Sequence, residues 1–308
     1  MKVNETSHHT GKLLVVGSTN TDMVIKTSHF PQPGETVIGG RFFMSPGGKG
    51  ANQAVAAARL GVPVTFVCKT GNDIFGHQSQ QLFEEEGIDT SYIFSDLKTP
   101  SGVALITVDD KAENCIVVAS GANANLSPAD LATAIDAVKT ADLILMQLEI
   151  PIETVEFVMN EAEKYNKRVI LNPAPARELS PDLLRKLYLL TPNKSEAEML
   201  SGIKITNPES AQQAAEKLHK IGVKNVVLTL GSEGAMVFNG ANFELIPAYK
   251  VEAFDTTAAG DVFNGALSVA ILERKEIAEA VRFACKAAAV SVTRQGAQDS
   301  APYRNEIF

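Results

Sequence analysis

The chain has 308 residues, a hydrophobic fraction of 45% and a formal net charge of −8 at pH 7, which is enough apolar material for one large core. The acidic balance and the lack of any run of Lys and Arg exclude nucleic acid as an expected partner. The longest apolar stretch, at 143–148, is much too short to span a bilayer, so we expect no membrane partner.

The first segment is polar. Residues 1–11 contain two adjacent histidines, His8 and His9, but no apolar core of a signal peptide, so we expect a flexible tail and not a metal site. The three cysteines are Cys68, Cys115 and Cys285. Because they are odd in number and form no C-x-x-C pair, they favour buried or idle thiols in a reducing compartment, the cytoplasm.

A short apolar strand at 13–16 begins the predicted fold. Beyond it, Asn20 and Asp22 project to the same side of an extended segment, because side chains alternate along a strand. Residues 23–46 are rich in turns without helical periodicity, and residues 100–119 contain two apolar runs joined by an acidic turn. We expect these two segments to form a small β-layer.

A glycine-rich turn then leads into an Ala-rich helix. The sequence PGGKGANQAVAAARLG at 46–61 predicts a helix closed by Gly61. Lys49 and Asn52 share a face if the first turn is helical, and the glycines allow a ligand to approach the backbone closely. This is not a P-loop, since Gly50 follows the lysine where Ser or Thr is required. Neither is there a G-x-G-x-x-G after the first strand, which disfavours a dinucleotide-dependent oxidoreductase.

Beyond residue 127, strands and helices alternate. The predicted strands are 143–146, 169–171, 188–191 and 225–230. The predicted helices are 152–165, 181–187, 194–201, 208–221, 260–273 and 276–293. This alternation predicts a parallel sheet with helices on both faces. We expect one α/β domain at 12–308.

Polar or glycine residues follow three of these strands. Glu149, Asn193 and Gly231 each come after a predicted strand. In open α/β sheets, ligands bind beyond the carboxyl ends of the strands. We therefore expect these residues to share one cleft.

A second turn of small residues precedes the helix near 260. In the sequence DTTAAGDVFNGA at 255–266, that helix begins with unpaired N–H groups and the positive end of the peptide dipole, which suit a phosphate. Asp261 lies in the same turn. A carboxylate beside an anion site is what a phosphoryl-transfer enzyme needs to receive the proton of the acceptor hydroxyl. The structural alternative is an ordinary helix N-cap.

Four segments resemble one known family. Residues 47–61 and 255–265 are similar to the two signatures of the ribokinase-like carbohydrate kinases, a family also named after phosphofructokinase B. NPAPAR at 172–177 and TPNKSEAE at 191–198 resemble further landmarks, and the resemblance runs from about residue 13 to about residue 304. It implies a three-layer sandwich, mostly parallel sheet with helices on both faces, plus a small β-sheet lid. It also implies ATP-dependent phosphorylation of D-ribose at the 5-hydroxyl.

The resemblance implies a sugar site. Its expected residues are Asn20, Asp22, Gly48, Lys49, Gly50, Asn52, Glu149 and Asp261. Carboxylates and amides of this kind can accept from and donate to vicinal hydroxyls. The alternatives are that Asn20 and Asp22 are ordinary turn residues and that Glu149, two residues before a proline, only starts a helix.

The resemblance also implies the roles of the phosphate and nucleotide residues. Asp261 would accept the hydroxyl proton, and the N–H groups of Ala259, Gly260 and Asp261, in an anion hole at 258–261, would stabilise the transferring phosphoryl group. Residues expected near the nucleotide and Mg²⁺ are Asn193, Glu196, Thr229, Gly231, Ser232, Gly234, Gly260 and Cys285. Cys285 fits a small core residue equally well.

Two residues depart from the wider family's pattern in the second signature. Ala258 stands where much of the family has Gly, although Ala is common in one subfamily. Val262 stands where Thr is usual, and it removes a hydroxyl to which we assign no role.

A monovalent-cation site and a dimer follow from the same resemblance. The expected cation is potassium, and the expected residues are Asp255, Thr257, Ser291, Arg294, Gly296 and Ser300, several of them through backbone carbonyls. Asp255 and Arg294 alone would otherwise be read as a salt bridge. A homodimer through the lid sheet is implied as well, and it agrees with the need to cover exposed strand edges.

Two classes of alternative stay open. The first is another kinase of the same family, acting on a nucleoside, deoxyribose or a hexose, with lid residues such as Phe42, Phe43 and Met44 deciding how much apolar ligand fits. The second is a non-catalytic sugar-binding protein. Such a protein would be expected to have lost Asp261 or the Gly260 turn, and this sequence retains both.

Overall fold

Four consecutive apolar residues, Leu13–Val16, are buried on both sides and form an interior strand of the large sheet. Such a continuous apolar run is typical of a strand covered on both faces. The computed structural model describes residues 11–111 and 113–307. The tail predicted for residues 1–11 therefore lies, except for Gly11, outside the described residues, and the assignment of 12–308 to one domain stays a prediction.

The strands, in chain order, are β1 (Leu13–Val16), β2 (Asn20–Lys26), β3 (Arg41–Gly47), β4 (Val64–Gly71), β5 (Asp89–Asp96), β6 (Gly102–Val108), β7 (Asn114–Ala119), β8 (Leu143–Met146), β9 (Arg168–Leu171), β10 (Leu189–Leu190), β11 (Asn225–Thr229), β12 (Ala235–Phe238) and β13 (Phe243–Ile246). The α-helices are α1 (Lys49–Arg59), α2 (Ile74–Glu85), α3 (Pro128–Thr133), α4 (Ile135–Thr140), α5 (Ile152–Lys164), α6 (Pro181–Arg185), α7 (Lys194–Ser201), α8 (Pro208–Ile221), α9 (Ala259–Leu272) and α10 (Ile277–Ser291).

Nine strands form the large sheet, in the order β13-β12-β11-β10-β9-β8-β1-β4-β5. Its pairs are parallel except for β11–β12 and β12–β13 at one edge. A second sheet has the order β3-β2-β6-β7 and is antiparallel except for β2–β6. The predicted α/β fold with a small additional sheet is confirmed. The predicted strand at 188–191 is shorter, because only two of its residues pair with β9 and β11.

The core is divided between the two faces of the large sheet. Leu13 and Val15 pack with α1, α9 and α10 on one face, while Leu14 and Val16 pack with α3, α4, α5 and α8 on the other. In the part of the chain described, no helix is both long enough and apolar enough to cross a membrane. The parallel strands end at a common edge, where α1 and α9 begin.

Candidate active site

The first turns of α1 and α9 meet at one buried carboxylate. Asp261 is only 6% exposed. The Asn52 Nδ2 donates to its Oδ2 and the Gln53 Nε2 donates to its Oδ1, each over 2.9 Å. Both carboxylate oxygens are therefore held by amide groups from the Ala-rich helix. Asn52 was predicted for this site, whereas Gln53 was missed, although a polar residue inside an Ala-rich helix face was a signal for it.

The start of α9 carries free backbone donors. Ala258 caps the helix in the left-handed region, with φ 59° and ψ 11°, a conformation that costs a residue with a Cβ about 1–2 kcal/mol. The Ala259 N–H donates to the Thr256 carbonyl over 3.2 Å, which corrects the expectation of three free donors. Within the described chain, the N–H groups of Gly260 and Asp261 have no acceptor. Two unpaired N–H groups at the positive end of the α9 dipole therefore lie beside the buried carboxylate.

Glu149 is bound to the start of α1. Its Oε2 accepts from the Lys49 N–H over 3.1 Å and from the Ser18 Oγ over 2.5 Å, and its Oε1 lies 3.9 Å from the Lys49 Nζ. Glu149 precedes α5, which begins only at Ile152, so it does not cap that helix. It instead places a negative charge at a helix N-terminus, where the peptide dipole favours it.

The other residues predicted to bind the sugar lie around the start of α1. Asn20 and Asp22 are two residues apart on β2 and so share one face of that strand, and Gly48 and Gly50 lie on either side of Lys49. The Asn20 Oδ1 accepts from the Asn123 Nδ2 over 2.8 Å. A cavity of about 380 Å³ is lined by Asn20, Glu149 and Asn123, among others. Asn123 follows the small sheet in a short 3₁₀ helix, Gly121–Asn125, and nothing in its sequence context marked it for this site.

The charges at this site influence one another's pKa values. Burial raises the pKa of Asp22 to about 6, with repulsion from Glu149 and Asp261 adding to the rise. Burial likewise raises the pKa of Asp261, against the opposing effects of Lys49 and the two amides. For Lys49, burial is outweighed by the attraction of Asp261 and Glu149, so its pKa is raised and it stays charged. The site therefore concentrates carboxylates around the ammonium group of Lys49.

We expect Asp22→Asn to stabilise the protein above pH 6. The unfolded state loses the Asp22 proton near pH 4 while the folded state keeps it to about pH 6, so the wild type loses stability as pH rises through this window. The variant lacks that loss, and the gain approaches an upper limit of about 3 kcal/mol. Urea unfolding of both proteins at pH 4 and pH 8 measures it. A variant that is less stable than the wild type at pH 8 would contradict the prediction.

A second, larger cleft of about 630 Å³ lies on the other side of the α9 N-terminus. It contains most of the predicted nucleotide residues, namely Asn193, Thr229, Gly231, Ser232, Gly234, Gly260 and Cys285. Its wall also includes 248–251, an irregular segment whose sequence carried no signal. Cys285 is buried as well as lining the cleft, so both of its expected descriptions apply.

The predicted N-x-x-E pair caps a helix. Asn193 accepts from the Glu196 N–H over 2.9 Å, and the Glu196 Oε2 accepts from the Asn193 N–H over 2.8 Å, which is a capping box at the start of α7. Burial raises the pKa of Glu196, and Lys49 and Asp261 also act on it electrostatically. The pair is therefore a structural cap, and Glu196 is also part of the charge cluster.

The residues predicted for a monovalent cation lie on two loops that are joined. The Asp255 carboxylate accepts from the N–H groups of Thr257 and Gly296, each over 2.9 Å. Burial opposes ionisation of Asp255, but the Thr257 side chain and these two N–H groups outweigh it by hydrogen bonding, and they lower the pKa of Asp255. The Arg294 guanidinium pairs with Glu306 at 2.7 Å. The alternative of a salt bridge between Asp255 and Arg294 is therefore wrong.

The two predicted serines of this region bond to their own turns. The Ser291 Oγ donates to the Ala288 carbonyl over 2.9 Å, and the Ser300 Oγ donates to the Ala297 carbonyl over 2.8 Å. Both residues are buried. Their hydroxyl protons are thus taken up by backbone carbonyls, and their oxygens keep acceptor capacity.

Comparison with known proteins adds to this geometry. Residues 10–304 match the pfkB family of carbohydrate kinases. The chain is 45% identical over 296 residues to the ribokinase of Haemophilus influenzae, covering 96% of this chain and 97% of that one. It is 38% identical over 291 residues to a deoxyribokinase of Salmonella typhi, covering 94% and 95%. The solved structure of Arabidopsis thaliana ribokinase complexed with ribose and ATP is 33% identical, with a TM-score of 0.89 and coverage of 96% and 97%.

Proposed function

We propose that this chain transfers the γ-phosphoryl group of ATP to the 5-hydroxyl of D-ribose. The chain belongs to the pfkB family of carbohydrate kinases. One observation carries the proposal. The buried Asp261 carboxylate and the free N–H groups of Gly260 and Asp261 lie where the cleft of the nucleotide residues meets the residues expected to hold the sugar. A base and an anion site are the two parts that phosphoryl transfer to an alcohol needs from the protein.

In the proposed reaction, Asp261 receives the proton of the 5-hydroxyl as that oxygen attacks the γ-phosphorus. The new P–O bond forms while the bond from the γ-phosphorus to the bridging oxygen breaks, and ADP leaves with that electron pair. The N–H groups of Gly260 and Asp261 donate to the transferring phosphoryl oxygens. Lys49 keeps its charge at this point and offsets part of the negative charge that the reaction brings together.

On the sugar side, we assign hydroxyl recognition to Asn20, Asp22, Asn52 and Glu149. The Asn52 Oδ1 is buried and has no hydrogen-bond partner among the described residues, so it is a free acceptor for a sugar hydroxyl. An unpaired buried acceptor costs about 1–3 kcal/mol. A hydroxyl donor at this position would remove that cost, which favours a polyhydroxylated ligand.

The residues beside the nucleotide cleft fit a divalent cation that arrives with ATP. Glu196 supplies carboxylate oxygens and Asn193 an amide oxygen, which are the ligand types that Mg²⁺ accepts, often through water. We assign these two residues to hold it. When bound, Mg²⁺ neutralises part of the charge on the phosphate oxygens.

We also propose that potassium binds beside the anion site. The Asp255 carboxylate, the Thr257 hydroxyl and the backbone carbonyls of 291–296 form a set of oxygen donors on two joined loops, and oxygen donors of this type suit potassium. Arg294 would contribute through its carbonyl only, because its guanidinium is bound to Glu306.

A homodimer through the small sheet is part of the proposal. Several large apolar side chains on this sheet are exposed: Ile25, Phe42, Met44, Leu105, Ile116, Val117 and Val118. By strand register, all of these side chains except Ile116 and Val118 share one face of the sheet. Exposed apolar side chains grouped in this way mark an interaction surface. Sedimentation should therefore give twice the chain mass of 32.9 kDa, and a monomer at micromolar concentration would refute the dimer.

An acceptor panel tests the function. ADP release from ATP and Mg²⁺ is followed with D-ribose, 2-deoxyribose, fructose and adenosine, in potassium or in a large organic cation. We expect kcat/KM for ribose to exceed that for 2-deoxyribose by at least about tenfold, since the missing hydroxyl leaves polar groups unpaired. We also expect turnover to depend on potassium.

The panel separates the alternatives. Faster turnover of 2-deoxyribose would favour the activity named for the Salmonella typhi relative, and faster turnover of adenosine would favour a nucleoside kinase. Ribose binding without turnover of any acceptor would favour a non-catalytic sugar-binding protein.

A further inference from the structure

A chain of buried amide side chains lies beneath the candidate base. The Gln53 Nε2 donates to the Asp261 Oδ1 over 2.9 Å and to the Asn172 Oδ1 over 3.1 Å, and the Gln53 Oε1 accepts from the Gln147 Nε2 over 2.6 Å. The Asn172 Nδ2 in turn donates to the Thr191 carbonyl over 3.2 Å. Gln53 and Gln147 are fully buried. These residues come from α1 and from the carboxyl ends of β8, β9 and β10.

The chemistry of the two ends fixes the direction of every amide in this chain. The Thr191 carbonyl only accepts, so Asn172 must donate to it and turn its oxygen toward Gln53. The ionised Asp261 carboxylate also only accepts. The Gln53 NH₂ group therefore faces both acceptors, and its oxygen faces Gln147. An inverted Gln53 amide would place oxygen against oxygen at both contacts.

Close packing of α1 on α9 makes the hydrogen bond between Gln53 and Asp261 possible. A Cβ on Gly265 would lie 2.8 Å from the Gln53 carbonyl oxygen and 2.8 Å from the Ala56 Cβ. Glycine at this position lets the two helices approach, one turn beyond Asp261. The Gln53 side chain is therefore long enough to reach the carboxylate.

We propose that Gln53 is a positioning residue for phosphoryl transfer, holding the Asp261 carboxylate in the orientation from which it receives the proton of the acceptor hydroxyl, with Gln147 and Asn172 fixing the Gln53 amide. The inference rests on the proposed function of Asp261 as the base. Nothing in it depends on which sugar is the acceptor.

A neutral donor suits this position because the surroundings are already crowded with charge. Lys49 on α1, Asp22 on β2, Glu149 after β8 and Glu196 on α7 all act electrostatically within the cluster that contains Asp261. The Gln53 amide anchors one carboxylate oxygen without adding to these charges. It also lowers the pKa of Asp261 against the larger effect of burial, which favours the ionised form that a base requires.

The test is a double-mutant cycle of Gln53→Met and Asp261→Asn, run with whichever acceptor the wild type phosphorylates fastest. Methionine keeps the length of the side chain and removes the donor. We expect Gln53→Met alone to lower kcat about 10- to 100-fold, as small misplacements of a reacting group do, with the sugar Kd from calorimetry nearly unchanged. In the Asp261→Asn background, we expect Gln53→Met to have little further effect, because both changes remove one function.

Two further readouts distinguish positioning from a structural role. The acid limb of the kcat/KM profile should move to higher pH in Gln53→Met, since losing the donor raises the pKa of Asp261. Gln147→Met leaves both direct bonds to Asp261 in place and frees only the Gln53 amide, so we expect a smaller loss of kcat in the same direction. Gln81→Met, at an exposed glutamine of α2, is the matched control and should change neither quantity.

The possible results separate this inference from the proposed function. An unimpaired Asp261→Asn enzyme would overturn Asp261 as the base and this inference with it. A slow Asp261→Asn enzyme in which Gln53→Met costs as much again as in the wild type would overturn this inference alone. If Gln53→Met does not fold, an unchanged kcat and pH profile in Gln147→Met would overturn it as well.

Discussion

Asp261→Asn is expected to lower kcat by about 10²- to 10⁴-fold, the usual contribution of a positioned general base. Asparagine has the same size, so the packing of the first turn of α9 is kept. Its amide cannot take up the proton that the attacking hydroxyl releases. The Asn52 and Gln53 donors would also meet one NH₂ group in place of the second carboxylate oxygen, which turns that side of the site from attractive to repulsive.

The measurement is steady-state kinetics with ATP and D-ribose, together with calorimetric binding of both ligands. Asp136→Asn is the matched control, because among the described residues the only ion pair of this exposed aspartate is with Lys139 on the same helix, and such surface pairs contribute little. We expect it to behave as the wild type. If Asp261→Asn kept more than about a tenth of wild-type kcat, a general-base role for this residue would be refuted.

Gly50→Ala is expected to destabilise the protein and to weaken sugar binding. A Cβ at this position would lie 2.6 Å from the Ser18 N and 2.7 Å from the Gly17 carbonyl carbon. Both are backbone atoms of the turn after β1, so neither can move aside as a side-chain tip would. Overpacking of this kind typically costs about 1–3 kcal/mol. Because the Ser18 hydroxyl donates to Glu149, displacement of the turn at Gly17 and Ser18 also disturbs the residues proposed to bind the sugar.

Denaturant unfolding and calorimetric ribose binding measure these two effects. Gly260→Ala is the matched control for stability only, since it is also a helical glycine but a Cβ there would meet open space. Alanine favours a helix by about 1 kcal/mol relative to glycine, so we expect no loss of unfolding free energy for the control. Equal unfolding free energies for wild type and Gly50→Ala would contradict the prediction, because the turn at Gly17 and Ser18 would then have room for a Cβ on residue 50.

The sequence contained enough to predict the α/β fold and the approximate place of the site. Two glycine-containing motifs predicted the starts of α1 and α9. The alternation of strands and helices implied that both starts lie at one edge of a parallel sheet. That Asn52 and Asp261 touch could not be read from either motif. The contact joins residues 209 positions apart, and it depends on how closely two helices pack.

What the sequence did not predict has physical reasons. Gln53 was missed because an amide in an Ala-rich helix does not reveal its partners, which lie on three other elements. The Ala259 N–H was expected to be free, but the left-handed Ala258 turns the chain so that Ala259 reaches the Thr256 carbonyl. The wall of the larger cleft at 248–251 is irregular, so it has no periodic pattern from which its place could be predicted.

The decisive measurement is the identity of the product that the wild-type enzyme forms from ATP and D-ribose in the presence of Mg²⁺ and potassium. NMR detects the carbon that couples to phosphorus, and ADP is measured in the same samples. We predict one phosphoryl group on the 5-oxygen for each ADP released, at a rate that Asp261→Asn lowers at least about a hundredfold. Phosphorylation at another hydroxyl, or ADP release that does not depend on ribose, would contradict it.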